Sequence, residues 1–481
     1  MRRTHAAVVF ASCSAASAVN PATGQREFSL MSEAQEIAAG QEMDPQIAAE
    51  MGVYDDPELQ RYVSTVGSRL AAASERPNLP WKFTVVDSPA INAFALPGGF
   101  IYLTRGIMPF LADEAELAGV LGHEIGHVTA RHSAQQYSRA TGAQLGLLLG
   151  GIFVPAVQQF GGLAQTGLGL LFLKYGRDDE LQADALGTRY TARNNWNPAG
   201  VAGMLSTLDR IGDASEDRQG VPNWLATHPP PEDRVERVQA AIEAARAEFP
   251  NAQSQERDAF LRRIDGLVYG DNPEQGIMRG REFLHTGLRF AMDFPQSWPV
   301  MNGPTQVVSK QPEVNAFLIL QLVDKPVGRD IRSIALNAME GAGFMALNGD
   351  RASVNGLSAF IGTYQGVIQD LGDVRVRAVH LEHRDRIFMI AGLAPVQIFG
   401  RAEEQLTRSV RSFRAMSASE AESIRPNRID FYTVRSGDTW EAIVERNANG
   451  AIRPATLAVM NGFSASQPPP AGQRIKIVVG G

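Results

Sequence analysis

The feature that most constrains this chain is the pentapeptide His123-Glu124-Ile125-Gly126-His127. Helical residues turn by about 100° each, so positions four apart share a face and His123 and His127 point the same way. Upstream, Asp113-Glu-Ala-Glu-Leu-Ala-Gly-Val-Leu121 offers acids at a helix start and then apolar residues at helical spacing. The spacing predicts a helix that presents two imidazoles to one ion. Neutral imidazoles suit Zn²⁺, one per chain, and Glu124 is placed to take a proton from an attacking water.

A catalytic zinc needs a third protein ligand. His132 is set aside: nine residues beyond His123, it falls on the opposite face of a continued helix. The stronger candidate lies in Asp178-Asp-Glu-Leu-Gln-Ala-Asp-Ala-Leu-Gly187. Glu180 and Asp184 are four apart and share a face. Glu180 then binds the ion, and Asp184 accepts the outer N–H of a ligating histidine, which fixes its tautomer. Asp178 and Asp179 are accounted for by compensation of the helix dipole.

Composition frames this site. At 481 residues, about three domains are expected. Hydrophobic residues at 44% and charged residues at 20% exclude wholesale disorder. The single cysteine, Cys13, excludes an intrachain disulfide framework. A net charge of -7 argues against a nucleic-acid partner. A mean hydropathy of -0.14 argues against a polytopic membrane protein.

Residues 1–29 read as an export segment. Arg2 and Arg3 precede a short apolar run, followed either by an Ala16-Ser17-Ala18 cleavage pattern or by lipidation at Cys13. The expected location is the bacterial periplasm or cell envelope, with membrane association through the N-terminus turning on Cys13. Residues 145–173 are apolar, but Pro155, Gln158 and Gln159 interrupt them, so they read as a helical hairpin or cover rather than a span.

The expected class is multi-domain α+β. Residues 30–270 read as a mainly helical domain with a small hairpin sheet: Trp81–Val86 as a strand, then Ile91–Leu96 and Phe100–Leu103 around Pro97-Gly98-Gly99. Residues 285–415 read as a mixed α/β domain of unknown role, ending in an amphipathic segment from Gly400 to Phe413. Residues 416–430 read as a linker, and 431–479 as a compact βααβ module.

Four ordered motifs in residues 20–265 resemble a known family, the gluzincin metallopeptidases that include the CAAX prenyl protease, HtpX and BepA. They are Leu121-Gly-His-Glu-Ile-Gly-His-Val128, Glu180-Leu-Gln-Ala-Asp184, Asn92-Ala-Phe-Ala-Leu-Pro-Gly-Gly99, and Thr227-His228-Pro229 with Arg234. Asn20-Pro-Ala-Thr-Gly24 and Ser32-Glu-Ala-Gln-Glu36 are similar to exported members. The resemblance implies zinc on His123, His127 and Glu180, with Glu124 as general base. His228 is implied either to cap the zinc reversibly or to polarise the substrate, and Arg234 to stabilise the oxyanion or hold an acid of the site. Asn92, Ala93 and Phe94 are implied to offer a strand edge to an extended peptide.

Tyr432-Thr-Val-Arg-Ser-Gly-Asp-Thr-Trp440 and Gly472-Gln-Arg-Ile-Lys-Ile477 are similar to a LysM module, which implies peptidoglycan binding near Gly437, Asp438, Thr439 and Asn461. Trp440 stands where leucine is usual, and Pro468–Pro470 lengthen a loop. The expected activity is zinc-dependent hydrolysis of peptide bonds in misfolded cell-envelope proteins. The alternatives are a largely latent protease serving as an envelope chaperone or wall-anchored scaffold, and a peptidoglycan hydrolase.

Overall fold

A computed structural model describes residues 17–28, 31–136, 175–214, Trp224, Thr227, His228 and 234–481, apart from residues 304, 324, 369 and 370. Cys13 and the apolar stretch 145–173 lie outside the described residues. The chain divides into two units, Met1–Leu267 with Ile429–Val478, and Val268–Arg428 with Val479–Gly481. No described helix is long and apolar enough to cross a membrane.

The first unit opens with a hairpin of β1 (Ser17–Val19) and β2 (Arg26–Phe28). Helices α1 (Glu33–Met51) and α2 (Pro57–Ala72) follow. Ser32 caps α1 through a capping box with Gln35, and Asp56 caps α2 ahead of Pro57. Strands β3 (Lys82–Val86), β4 (Ala93–Leu96) and β5 (Phe100–Thr104) form a sheet in the order β3-β5-β4. The expected β4–β5 hairpin is present. Gly98, at φ 83°, serves both turn and packing, because a Cβ there would stand 2.6 Å from Ile37 Cα.

Helix α3 (Glu114–Thr129) is buried along its whole length, and Asp113 caps it by accepting from Glu116 N. Helices α4 (Arg177–Arg193), α5 (Gly200–Ala214), α6 (Arg234–Glu248) and α7 (Arg257–Ile264) complete the unit's N-terminal part.

The second unit is an α+β arrangement built on antiparallel strands. A seven-stranded sheet runs β12-β13-β14-β15-β11-β10-β9, built from β9 (Val300–Asn302), β10 (Gln306–Lys310), β11 (Phe317–Leu322), β12 (Met345–Val354), β13 (Leu357–Ile368), β14 (Gly372–His383) and β15 (Arg386–Pro395). A second sheet joins β6 (Ile277–Arg279), β7 (Glu282–His285) and β8 (Phe290–Asp293) to Arg414–Ala415. Short turns such as Asn355-Gly356 and Arg384-Asp385 join neighbouring strands, and these permit only antiparallel pairing. Helix α8 (Ile331–Gly341) precedes β12. The predicted amphipathic segment is α9 (Val396–Ser412), which buries Phe399, Ala402, Leu406 and Val410.

The expected linker at 416–430 is folded instead. Ser417 caps a short helix, Ala418–Ser423, and Met416, Ala421 and Ile424 pack with Leu284 and Ala291. Its polar composition reflects the outer face of a segment that turns Met416, Ala421 and Ile424 inward.

The tail has the expected βααβ order: strands Arg428–Thr433 and Arg474–Val479 flank helices Trp440–Asn447 and Pro454–Met460. It packs within the first unit. Lys476 Nζ donates to Leu111 O at 2.7 Å and Arg210 to Gly462 O at 2.8 Å. Burial pushes the Lys476 ammonium down and the Glu116 carboxyl up, while Glu116 and Asp113 draw on the lysine charge. Lys476 therefore seats beside the start of α3.

Two predictions follow from this packing. Lys476→Met should destabilise the first unit by about 3–5 kcal/mol, because the acids lose a buried cation. A second change, Glu116→Gln, should recover part of that loss in thermal unfolding, whereas simple additivity would exclude the coupling. In the second unit, burial lowers His380 to about 4, and both its ring nitrogens lack hydrogen-bond partners among the described residues. The unfolded chain then binds the proton more readily, so stability should fall as pH drops from about 6.5 to about 4. His380→Phe should flatten that slope in unfolding measured across pH; an unchanged slope would refute the assignment.

Candidate metal centre

The site forms where α3 crosses α4, and small residues let the helices meet closely. A Cβ on Gly122 would lie 3.0 Å from Gly187 O, and one on Gly126 3.0 Å from Ala183 O. A Cβ on Gly187 would lie 2.7 Å from His123 N. This crossing brings the Glu180–Asp184 face of α4 against the His123–His127 face of α3, as the two i, i+4 pairs implied.

His123, His127, Glu180 and His228 are all buried, and one ligand atom from each lies within 4.8 Å of the others. His127 Nε2 is 3.0 Å from His123 Nε2 and 3.5 Å from Glu180 Oε1. His228 Nδ1 lies 2.8 Å from Glu180 Oε1 and 3.3 Å from His123 Nε2. Glu124 points into the same space with its nearer oxygen 3.7 Å from His228 Nε2, and neither carboxylate oxygen has a hydrogen-bond partner among the described residues. Converging imidazoles and carboxylates, together with an orphaned buried acid, fit a single divalent cation and an attacking water.

The outer contacts agree with this. His123 Nδ1 donates to Asp184 Oδ1 at 2.9 Å, leaving Nε2 for the ion. Arg234 holds Asp184 with two bonds, Nε to Oδ2 at 2.8 Å and Nη2 to Oδ1 at 3.0 Å. It also lies 3.1 Å from Glu180 Oε2 and donates to His228 O at 3.3 Å. Arg234 thus holds the acids of the site. Trp224 stacks on His228 at 4.1 Å between ring centroids, and Tyr175 on His127 at 3.8 Å.

Electrostatics sort the acids. Burial pushes Glu124 up to about 8, with Glu180 adding to the rise and His123 opposing it. Burial also opposes ionisation of Glu180 and Asp184. The histidines outweigh it at Glu180, and His123 and Arg234 outweigh it at Asp184, so both lie below the carboxylate range. Burial keeps His127 well below the usual imidazole range, in its neutral, ligating form.

His132 was misplaced by extrapolating the helix. Helix α3 ends at Thr129, and Arg131 turns the chain at φ 64°. His132 therefore folds back until its Nδ1 lies 3.0 Å from His127 Nδ1. A left-handed arginine carries no sequence signal of the kind that glycine gives.

The remaining candidates divide. Strand β4 is a sheet edge, beside which Ile91 O accepts from Trp224 N at 3.1 Å. Asn92 Oδ1 is buried without a hydrogen-bond partner among the described residues. Phe94 is a core residue stacked on Tyr102, so only its backbone is left to meet a peptide. In the tail, Asp438 accepts from Tyr432, Arg435 N and Arg446; Thr439 caps the following helix; and Asn461 bonds both N and O of Lys476. These side chains brace the module, and Gly437 supplies its turn at φ 86°.

Residues 57–242 match Peptidase family M48, and residues 432–478 match the LysM domain. The chain is 31% identical to the beta-barrel assembly-enhancing protease of Yersinia pestis over 259 residues, 52% of each chain. It is 29% identical to the Escherichia coli (strain K12) protein of that name over 225 residues, 45% of each chain. It is 32% identical to the mitochondrial metalloendopeptidase OMA1 of Schizosaccharomyces pombe over 186 residues, 37% of this chain and 51% of that one. The chain thus spans about half the length of these relatives. It carries an M48 metallopeptidase domain, of a zinc-dependent family, and a LysM module.

Gly187→Ala tests the crossing. The new methyl must push α4 from His123, at a cost of about 1–3 kcal/mol. Thermal unfolding and zinc titration should both weaken; a variant matching the parent in both would show that the helices do not need this spacing.

Proposed function

We propose that this chain, with its M48 metallopeptidase domain, is a zinc metalloendopeptidase of the bacterial cell envelope that hydrolyses misfolded or misassembled proteins. The observation that carries the activity is the buried convergence of His123, His127 and Glu180 on one point, with Glu124 beside it and without a hydrogen-bond partner among the described residues. The similarity to bacterial beta-barrel assembly-enhancing proteases supports an envelope quality-control role.

When bound, zinc supplies Lewis acidity toward the attacking water and the peptide carbonyl. His123, His127 and Glu180 hold it. Glu124 takes the proton from the water and returns it to the leaving amine nitrogen. Its raised pKa suits that exchange, and a neighbouring cation draws it back toward neutrality. Asp184 and Arg234 keep His123 in its ligating tautomer. The sheet edge at β4, near Asn92 and Ala93, offers backbone groups to an extended substrate, and the LysM module supplies a peptidoglycan contact. Export through the N-terminal segment, with lipidation at Cys13 as its anchoring form, fits this role.

His228 favours a second reading. It sits among the ligands rather than at the rim, so it fits a fourth ligand that holds the peptidase latent while the chain acts as a chaperone or scaffold.

Purified protein should bind about one zinc per chain, and His123→Ala should lose it. Chelation should abolish casein cleavage, and zinc should restore it. Glu124→Gln should keep the metal and lose activity by about 10²–10⁴-fold. Full cleavage by Glu124→Gln would remove its assigned role. Envelope function surviving that change would favour the latent reading, and release of fragments from cell-wall sacculi in place of casein would replace both with peptidoglycan hydrolysis.

A further inference from the structure

The two histidine ligands are supported in different ways. His123 leans on a charged pair, Asp184 and Arg234. His127 leans on a series through His132 that ends in the N-terminal hairpin, with the Asp179 carboxylate 3.6 Å from His132 Nε2 beside it. His127 Nδ1 is 3.0 Å from His132 Nδ1, His132 Nε2 is 2.8 Å from Gln182 Oε1, and Asn20 Nδ2 donates to the same oxygen at 3.2 Å.

The direction of each bond follows from the metal site. His127 turns Nε2 toward His123 and Glu180, so its proton resides on Nδ1. His132 must then accept at Nδ1 and carry its own proton on Nε2. That proton goes to Gln182 Oε1, which therefore faces His132 with its oxygen. Asn20 has no choice of orientation either, because its Oδ1 accepts from Ala22 N at 2.9 Å. Its amide nitrogen is left to meet Gln182. Asn20 is 1% exposed and is fixed by its own turn, with Asn20 N donating to Gln25 O and Gly24 N to Asn20 O. The turn that returns His132 is itself tied down, with Arg131 bonded to Glu36 and to Met31 O.

We infer that Asn20 and Gln182 are positioning residues for the metal ligand His127, acting through His132. This rests on the zinc site proposed above. The relay keeps the ring plane of His127 and the proton on Nδ1, and so keeps Nε2 free for the ion. The donor–acceptor order makes the relay sensitive to isosteric exchanges that alter hydrogen bonding while leaving shape unchanged. Asn20→Asp replaces the donor with an acceptor facing another acceptor. Gln182→Leu removes the acceptor, whereas Gln182→Glu keeps one.

The test uses the full chain, stripped of metal and titrated with zinc alone against a chromophoric chelator, with melting of the metal-free protein followed in parallel. Asn20→Asp and Gln182→Leu should each weaken zinc binding on the order of tenfold, at the lower end of effects seen for groups behind metal ligands. Gln182→Glu should stay near the parent, and metal-free melting should be unchanged throughout. Parent-like zinc affinity in Asn20→Asp and Gln182→Leu would overturn the inference. So would equal losses in Gln182→Leu and Gln182→Glu, or a loss that only tracks lower melting. A parent protein that binds no zinc would instead remove the metal-site reading, and this inference with it.

Discussion

The closeness of α3 and α4 is the condition on which the metal centre depends. Glycines at 122, 126 and 187 leave backbone against backbone, so His123 and His127, which directly follow two of them, meet Glu180 and Asp184 across a short gap. Metal ligation is unforgiving of distance, and an added methyl at Gly187 would stand only 2.7 Å from His123 N. The arginine that grips Asp184 and the aromatic rings stacked on His127 and His228 refine an arrangement whose spacing is already set by these absent side chains.

Much of the site was legible because helical spacing is a strong code. Two residues at i and i+4 share a face in any helix, which made His123 with His127, and Glu180 with Asp184, readable as pairs. The code fails where helices end. His132 was discarded by continuing α3 past Thr129, and its true place depends on a left-handed arginine held by Glu36, some 95 positions away in sequence. Nothing in the sequence pairs Asn20 with Gln182, since no local pattern joins residues 162 positions apart.

The fold shows the same limit. Strands β3, β4 and β5 and helix α9 follow from alternation and amphipathic spacing. The segment after residue 416 was read as a linker because polar residues dominate it, yet three apolar residues suffice to seat it. The antiparallel pairing of the second unit depends on turn lengths between strands, a weaker signal than the strands themselves. In the tail, the residues singled out for glycan contact are committed to its own turns and caps, so local chemistry identified the module better than its binding face.

The seat of Lys476 beside α3 has a consequence in time. Its bond to Leu111 O closes a span of 365 residues. Closure over such a distance is entropically costly and comes late in folding. A ribosome delivers the helix bearing His123 and His127 long before it delivers Lys476. During that interval Asp113 and Glu116, at the entrance to the helix, lack the cation that neutralises them. The last strand of the tail is therefore a late closure, which the unit can make only once its synthesis has passed residue 476.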